Sequence, residues 1–141
     1  MQLPLARNSL RIVQVEDDDD LALLTELGLR RAGFEHPIVR CKDGLSALQH
    51  FRSVRPETAP HVVLLDIHLP LLNGFEVLRW LRHDYTQPDV TVYILSSSVD
   101  PQHRAEAAAG RATKYLLKSC HDKELVQALD EVIARTSEIN K

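Results

Sequence analysis

This 141-residue chain has no glycine-rich phosphate loop, no cysteine cluster, no block of basic charge and no long apolar run. Each absence removes a class of function. Without a glycine-rich cradle ahead of a helix, nucleotide hydrolysis is disfavoured, because nothing offers a row of backbone N–H groups to a polyphosphate. The two cysteines, Cys41 and Cys120, lie far apart and in no metal-type spacing. They read as free thiols of a reducing compartment, and a cytoplasmic chain is expected. Lys plus Arg number 17 against 20 for Asp plus Glu, a net charge of −3 without a basic stretch, so no nucleic-acid surface is expected. No segment approaches membrane-spanning length, and Met1 to Arg7 lacks the apolar core of a signal peptide. No internal repeat or linker is visible. One domain is expected over residues 10–141, preceded by a short arm over residues 1–9, with no room for an output domain.

What the chain does contain is organised around His61-Val62-Val63-Leu64-Leu65-Asp66. An unbroken apolar run of this length suits a strand buried on both faces, as in parallel sheets covered by helices. It ends in a carboxylate. Pro70 and the Asn73-Gly74 pair follow and forbid continuation of regular structure, so Asp66 is delivered to a loop at a strand's C-terminal end. Leu10 to Val15 reads as an earlier strand ending in Glu16-Asp17-Asp18-Asp19-Asp20. The last three acids suit the first turn of a helix, whose apolar positions are Leu21, Leu24, Leu27 and Ala32 and whose stop is Gly33. His36 to Arg40 reads as a less apolar edge strand. Leu45, Leu48 and Phe51 mark the next helix, and Phe75, Leu78 and Leu81, widened by Val77 and Trp80, mark the third. Val90 to Leu95 is a fourth strand ending in Ser96-Ser97-Ser98. Asp100-Pro101 opens a helix over Gln102 to Ala109 with no large apolar residue. Lys114 to Leu117 is a fifth strand ending in Lys118, and Leu125, Leu129, Val132 and Ile133 make the last helix amphipathic.

Five strands alternating with five helices predict a doubly wound parallel α/β sheet of flavodoxin-like (βα)5 type. With strand order 2-1-3-4-5, Glu16 and Asp17 meet Asp66 at the switch point of the sheet, where ligands bind. Three carboxylates so close must either raise a pKa or hold a cation. An all-oxygen site suits Mg²⁺ better than zinc or copper, whose usual His and Cys ligands are not clustered here. Ser96 flanks Asp66 on one side, and Lys118 supplies a point charge. The set fits phosphoryl transfer with a carboxylate as nucleophile.

Val15-Glu16-Asp17-Asp18, Leu65-Asp66 with Pro70 and Gly74, Leu95-Ser96-Ser97 and Tyr115-Leu116-Leu117-Lys118 together resemble the receiver domain of two-component response regulators. The likeness runs from about Leu10 onward. It implies a phosphoacceptor signalling protein, not an enzyme with a separate substrate, in which Asp66 takes a phosphoryl group from a sensor histidine kinase. It implies Asp17 and Asp66 as Mg²⁺ ligands, Glu16 acting through water and the His68 backbone carbonyl completing the set. Lys118 would contact the phosphoryl group, and Ser96 with Tyr115 would form the conformational switch. The N-terminal extension, the loop His83 to Asp89 and the Lys118-Ser119 pair are similar to the stand-alone regulators of bacterial phytochromes. That likeness implies a phytochrome-type photoreceptor kinase as partner and a homodimer through the face of the fourth helix, fifth strand and fifth helix.

The pattern departs from the family at Ser119, where most receivers have a proline in a cis peptide; a cis bond without proline costs about 2.5–4 kcal/mol. Two other readings stay open on the residues alone. One is a pseudo-receiver that binds partners without phosphorylation. The other is a phosphotransferase of the haloacid dehalogenase type, although the second acid those enzymes need two residues after the nucleophile is here His68.

Overall fold

The computed structural model describes residues 5–118 and 122–139. Branched residues form the centre of the sheet: β1 (Ile12–Val15) and β3 (Val62–Leu65) are buried at every position. With β2 (Val39–Cys41), β4 (Thr91–Ser96) and β5 (Lys114–Leu117) they make one parallel sheet in the order β2-β1-β3-β4-β5. Register is set by pairs such as Val15 with Leu65 and Leu65 with Ile94. The strand order is the one expected, so the C-terminal ends of β1 and β3 lie side by side, about 4.8 Å apart in a sheet of this kind.

Alternation along the strands divides the core in two. Val13, Val15, Val63, Leu65, Val92 and Ile94 face α2 (Gly44–Ser53), α3 (Gly74–His83) and α4 (Pro101–Ala109). Ile12, Val62, Leu64 and Tyr93 face α1 (Asp19–Arg31) and α5 (Asp122–Ile139). The Tyr93 hydroxyl is fully enclosed and donates to the Ala128 carbonyl of α5 at 2.6 Å, so its polar atom has a partner. Arg7 of the N-terminal segment clasps the α1–α5 side: it pairs with Asp130 at 2.6 Å, donates to the Ala32 carbonyl and lies over the Phe34 ring.

Several expectations need correction. The periodic leucines of α1 do not form its core face: Leu21, Leu24 and Leu27 are 39%, 63% and 40% exposed, and Leu23 is exposed too. Ala22, Gly28 and Leu29 are buried instead. Close approach of α5 accounts for the glycine, since a Cβ on Gly28 would overlap the Asp122 carboxylate at the start of that helix. Leu45 is likewise exposed, and Ala47, Leu48 and Phe51 carry the core face of α2. β2 runs from Val39 to Cys41, later than the expected His36 to Arg40, although it is an edge strand as anticipated. Gly33 does end α1, with φ 97°, a conformation glycine adopts without strain. α4 begins as expected, with Asp100 capping the Gln102 N–H, and Ala107 is the residue it buries. Cys41 is a buried free thiol, its pKa pushed by burial to about 11. Cys120 and Ser119, and so the geometry of the Lys118-Ser119 peptide, lie outside the described residues.

Arg82, at the end of α3, is 9% exposed and makes no salt bridge among the described residues. It donates instead to the carbonyls of Arg111 (3.0 Å), Pro88 (3.0 Å) and Val90 (2.7 Å), tying the loop after α3 to the turn after α4. Arg82→Met keeps most of the aliphatic stem and strands these acceptors. It is expected to lower the unfolding free energy by about 2–4 kcal/mol in urea denaturation; a change within experimental error would show that water replaces the guanidinium.

Candidate functional site

The two central strands end at the same level. The Glu16 N–H donates to the Cys41 carbonyl at 3.0 Å, and the Asp66 N–H donates to the Val15 carbonyl at 3.0 Å. Ladder bonds therefore fix both residues at the sheet's C-terminal edge. Glu16 and Asp66 are each 5% exposed, whereas Asp17 is open to solvent. One carboxylate oxygen from each of Glu16, Asp17 and Asp66 lies within 4.8 Å of the others. The three acids expected to meet do meet.

Local structure holds this uncomfortable arrangement in place. Arg40 of β2 donates through Nε and Nη2 to the Glu16 carbonyl (3.1 and 2.9 Å) and through Nη1 to Asp19 (2.6 Å), pinning the turn between β1 and α1. Asp18 caps α1 by accepting from the Asp20 and Leu21 N–H groups, which separates the capping acid from the site acids. After Asp66 the chain doubles back, and the Gly74 N–H donates to the Ile67 carbonyl at 2.8 Å. A Cβ at Gly74 would overlap the Asp66 carbonyl oxygen, so the close approach of α3 to the strand end requires glycine.

Lys118 supplies the counter-charge. Its Nζ lies 2.7 Å from Glu16 Oε1 and 3.1 Å from Asp66 Oδ2. The point charge expected of Lys118 is thus shared between Asp66 and Glu16. Burial lifts the Glu16 carboxyl above its ordinary range and the nearby Asp66 charge adds to that, while the bond to Lys118 opposes both. Burial alone would pull the Lys118 ammonium down; the bond to Glu16 and the charge of Asp66 outweigh it and leave the group raised.

Ser96 ends β4 beside Asp66, fully buried, with its Oγ accepting the Ser98 N–H at 3.0 Å. Tyr115 is half-buried on β5, its hydroxyl donating to the Ser98 carbonyl at 2.9 Å and its ring covered by the Arg104 guanidinium at 4.7 Å. His68 is exposed; its backbone N–H donates to Asp66 Oδ1 at 3.3 Å and its ring meets the His103 ring edge-on at 5.7 Å. Sequence reasoning missed Arg40, Ser98 and His103. Arg40 could have been suspected as a cation on the edge strand beside an acidic strand end. Nothing in the sequence marks Ser98 or His103, because their meeting depends on the path of a loop.

An open α/β sheet that gathers carboxylates, a hydroxyl and an ammonium group at its switch point defines a ligand-binding site of acidic character. The model of the response regulator receiver domain matches residues 12–130, and the chain belongs to that family. Among its relatives, the transcriptional regulatory protein CseB of Streptomyces coelicolor is 35% identical over 124 residues, covering 88% of this chain and 49% of CseB. The DNA-binding response regulator MtrA of Mycobacterium leprae is 37% identical over 116 residues, covering 82% and 48%. The chain thus spans about half the length of the curated relatives it matches. Similar solved structures include the bacteriophytochrome response regulator RtBRR, with 29% identity, a TM-score of 0.75 and coverage of 87% of this chain and 78% of that one. The bacteriophytochrome response regulator AtBRR gives 27%, 0.75, 87% and 92%. The fold is shared with the chemotaxis protein CheY4 of Vibrio cholerae at 23% identity, a TM-score of 0.75 and coverage of 87% and 98%.

Replacing Lys118 by Met leaves two buried carboxylates without their cation. Without divalent ions, stability at neutral pH is expected to fall by about 1–3 kcal/mol, less than for breaking a fully buried pair because Lys118 is partly exposed. The sign with pH follows from Glu16. A carboxyl raised in the folded state binds more protons there than in the unfolded chain, so stability falls as pH rises through its range and recovers on acidification. Urea denaturation at pH 7.5 and 5.0 should therefore show a smaller deficit at the lower pH; a deficit independent of pH would contradict the electrostatic account.

Proposed function

We propose that Asp66 is the phosphoacceptor of a signalling switch, taking a phosphoryl group from a sensor histidine kinase. The observation that carries this reading is the Lys118 ammonium bridging Glu16 and Asp66 at the end of the central strand. In the transfer, an Asp66 carboxylate oxygen attacks phosphorus and the P–N bond to the donor imidazole breaks. The electron pair leaves with the imidazole nitrogen. Lys118 is placed to exchange one anionic partner for another, moving from Glu16 toward the phosphoryl oxygens. The Ser96 hydroxyl donates to a second oxygen, and Tyr115 follows the loop that Ser96 belongs to.

The donor set fits Mg²⁺: carboxylates without imidazole or thiolate, one of them open to solvent where bound waters would complete the shell. Asp17 and Asp66 would hold the ion directly, Glu16 through water, and the His68 carbonyl would complete the set. Bound there, Mg²⁺ would neutralise charge on the transferred group. Incubation with acetyl phosphate is expected to give a phosphoryl adduct by intact mass that needs Mg²⁺ and disappears in Asp66→Asn. An adduct that persists in that variant would place the acceptor elsewhere, and no adduct in the native chain would favour the pseudo-receiver reading.

Three exposed leucines of α1, Leu21, Leu24 and Leu27, line a pocket that also includes Glu16 and Lys118. A donor that brings its phosphohistidine within bonding distance of Asp66 must cover the surface around it, so this apolar face belongs to the kinase footprint. Leu24→Glu is expected to slow transfer from a phosphorylated histidine kinase at least tenfold, the size of effect a buried apolar anchor can carry, and to leave the acetyl phosphate rate unchanged. Equal rates from the kinase would remove α1 from the footprint.

We further read the kinase as a phytochrome-type photoreceptor, with the chain acting alone in the cytoplasm as a homodimer through α4, β5 and α5. The likeness to the two bacteriophytochrome regulators supports this, while the curated relatives are twice as long and include DNA-binding regulators. Phosphotransfer that responds to red and far-red illumination of such a kinase is the expected result. Sedimentation giving only monomer, with and without phosphate, would contradict the dimer.

A further inference from the structure

The loop between β4 and α4 has little to hold it. Val99 is 74% exposed, and α4 buries only Ala107 among its residues. Polar contacts replace the missing apolar anchor, and they converge on Ser98. Its N–H donates to Ser96 Oγ at 3.0 Å, and its carbonyl accepts from the Tyr115 hydroxyl at 2.9 Å. Its own hydroxyl oxygen accepts the Asp100 N–H at 3.2 Å and lies 2.6 Å from His103 Nδ1. Ser98 thus touches both residues assigned to the switch, and His103 is the side chain that meets its hydroxyl.

His103 is itself held on its other side. Its ring packs edge-on against His68 at 5.7 Å and tilted against Phe75 at 6.1 Å. His68 follows Asp66 by two residues and donates its backbone N–H to Asp66 Oδ1 at 3.3 Å. His103 therefore bridges the loop that carries the acceptor and the loop that carries the switch hydroxyl, by a route that needs no phosphoryl group. Cutting it removes the contact that holds the Ser98 side chain, so the Ser98 N–H on Ser96 Oγ and the Ser98 carbonyl under the Tyr115 hydroxyl are held less firmly.

We propose that His103 is a positioning residue for phosphoryl transfer to Asp66, acting through Ser98 to aim the Ser96 hydroxyl and to hold the acceptor of the Tyr115 hydroxyl. The proposal rests on the reading of Asp66 as phosphoacceptor. It adds a residue that touches neither the phosphoryl group nor a metal ion, so it should alter rate without altering donor binding.

The experiment compares phosphorylation by acetyl phosphate with Mg²⁺ in the native chain, His103→Ala, His103→Asn, Ser98→Ala and the double variant His103→Ala with Ser98→Ala. Loss of one positioning hydrogen bond should lower the saturating rate roughly three- to tenfold, with the half-saturating donor concentration unchanged. Asn places a polar atom near the position of Nδ1 and should restore most of the rate. In the Ser98→Ala background, His103→Ala should add little, since both act through the same contact. Fluorotyrosine labelling gives one ¹⁹F line for each of the three tyrosines, and the Tyr115 line should shift in His103→Ala and return toward its native position in His103→Asn. A native rate in His103→Ala overturns the proposal. So do equal defects in the Ala and Asn variants with an unmoved Tyr115 line, which would reduce His103 to packing. A native chain that takes no phosphoryl group defeats the underlying reading of Asp66 and the proposal with it, and is told apart because the unmutated control then fails.

Discussion

Two carboxylates buried side by side at the end of a parallel sheet are the constraint on which the rest of this structure depends. Glu16 and Asp66 are 5% exposed and repel one another, and water cannot screen them as it screens Asp17. Lys118 meets both, and burial of the trio is tolerable only while that ammonium group is present. The arrangement costs stability at neutral pH in the absence of another cation. A site that is costly when empty gains more from a ligand of positive charge, and that gain is available to drive a change elsewhere.

The surrounding structure follows from keeping those charges where they are. β1 and β3 are buried at every position because both faces of the sheet are covered, and all their residues but Gln14 are apolar, so the site's charged groups gather at the strand ends. Arg40 ties down the turn after β1 through a backbone carbonyl rather than the Glu16 carboxylate, leaving that group to Lys118. Gly74 lets α3 begin against the Asp66 backbone. The opposite side of the site is built differently: the loop after β4 rests on Ser98 and its hydrogen bonds rather than on apolar packing. The acid side is rigid and the hydroxyl side is lightly held, as expected of a site in which one half receives a group and the other half responds to it.

Much of this was legible in the sequence. The apolar run ending in Asp66 named the central strand, and acids at the end of β1 with the βα alternation placed Glu16 and Asp17 beside it. Leu21, Leu24 and Leu27 recur at helical spacing as well as any core stripe, yet they are exposed; periodicity identifies a helix but does not say which of two faces meets the sheet. The side that packs is lined by Ala22, Gly28 and Leu29, and at Gly28 the start of α5 comes too close for a side chain. The apolar pair Ile38-Val39 marks the second strand but not its end, and pairing with β1 carries it on to Cys41. Ser98 and His103 left no trace, as a contact between a loop hydroxyl and a ring one turn into a helix depends on a path that composition does not encode.

The most direct test of the account is a structure of the chain with beryllofluoride and Mg²⁺. Lys118 should have left Glu16 for a fluorine of the adduct on Asp66, with the Ser96 hydroxyl on another. An adduct on Asp66 with Lys118 still paired to Glu16, or turned away from both, would contradict the role given to the buried charge cluster.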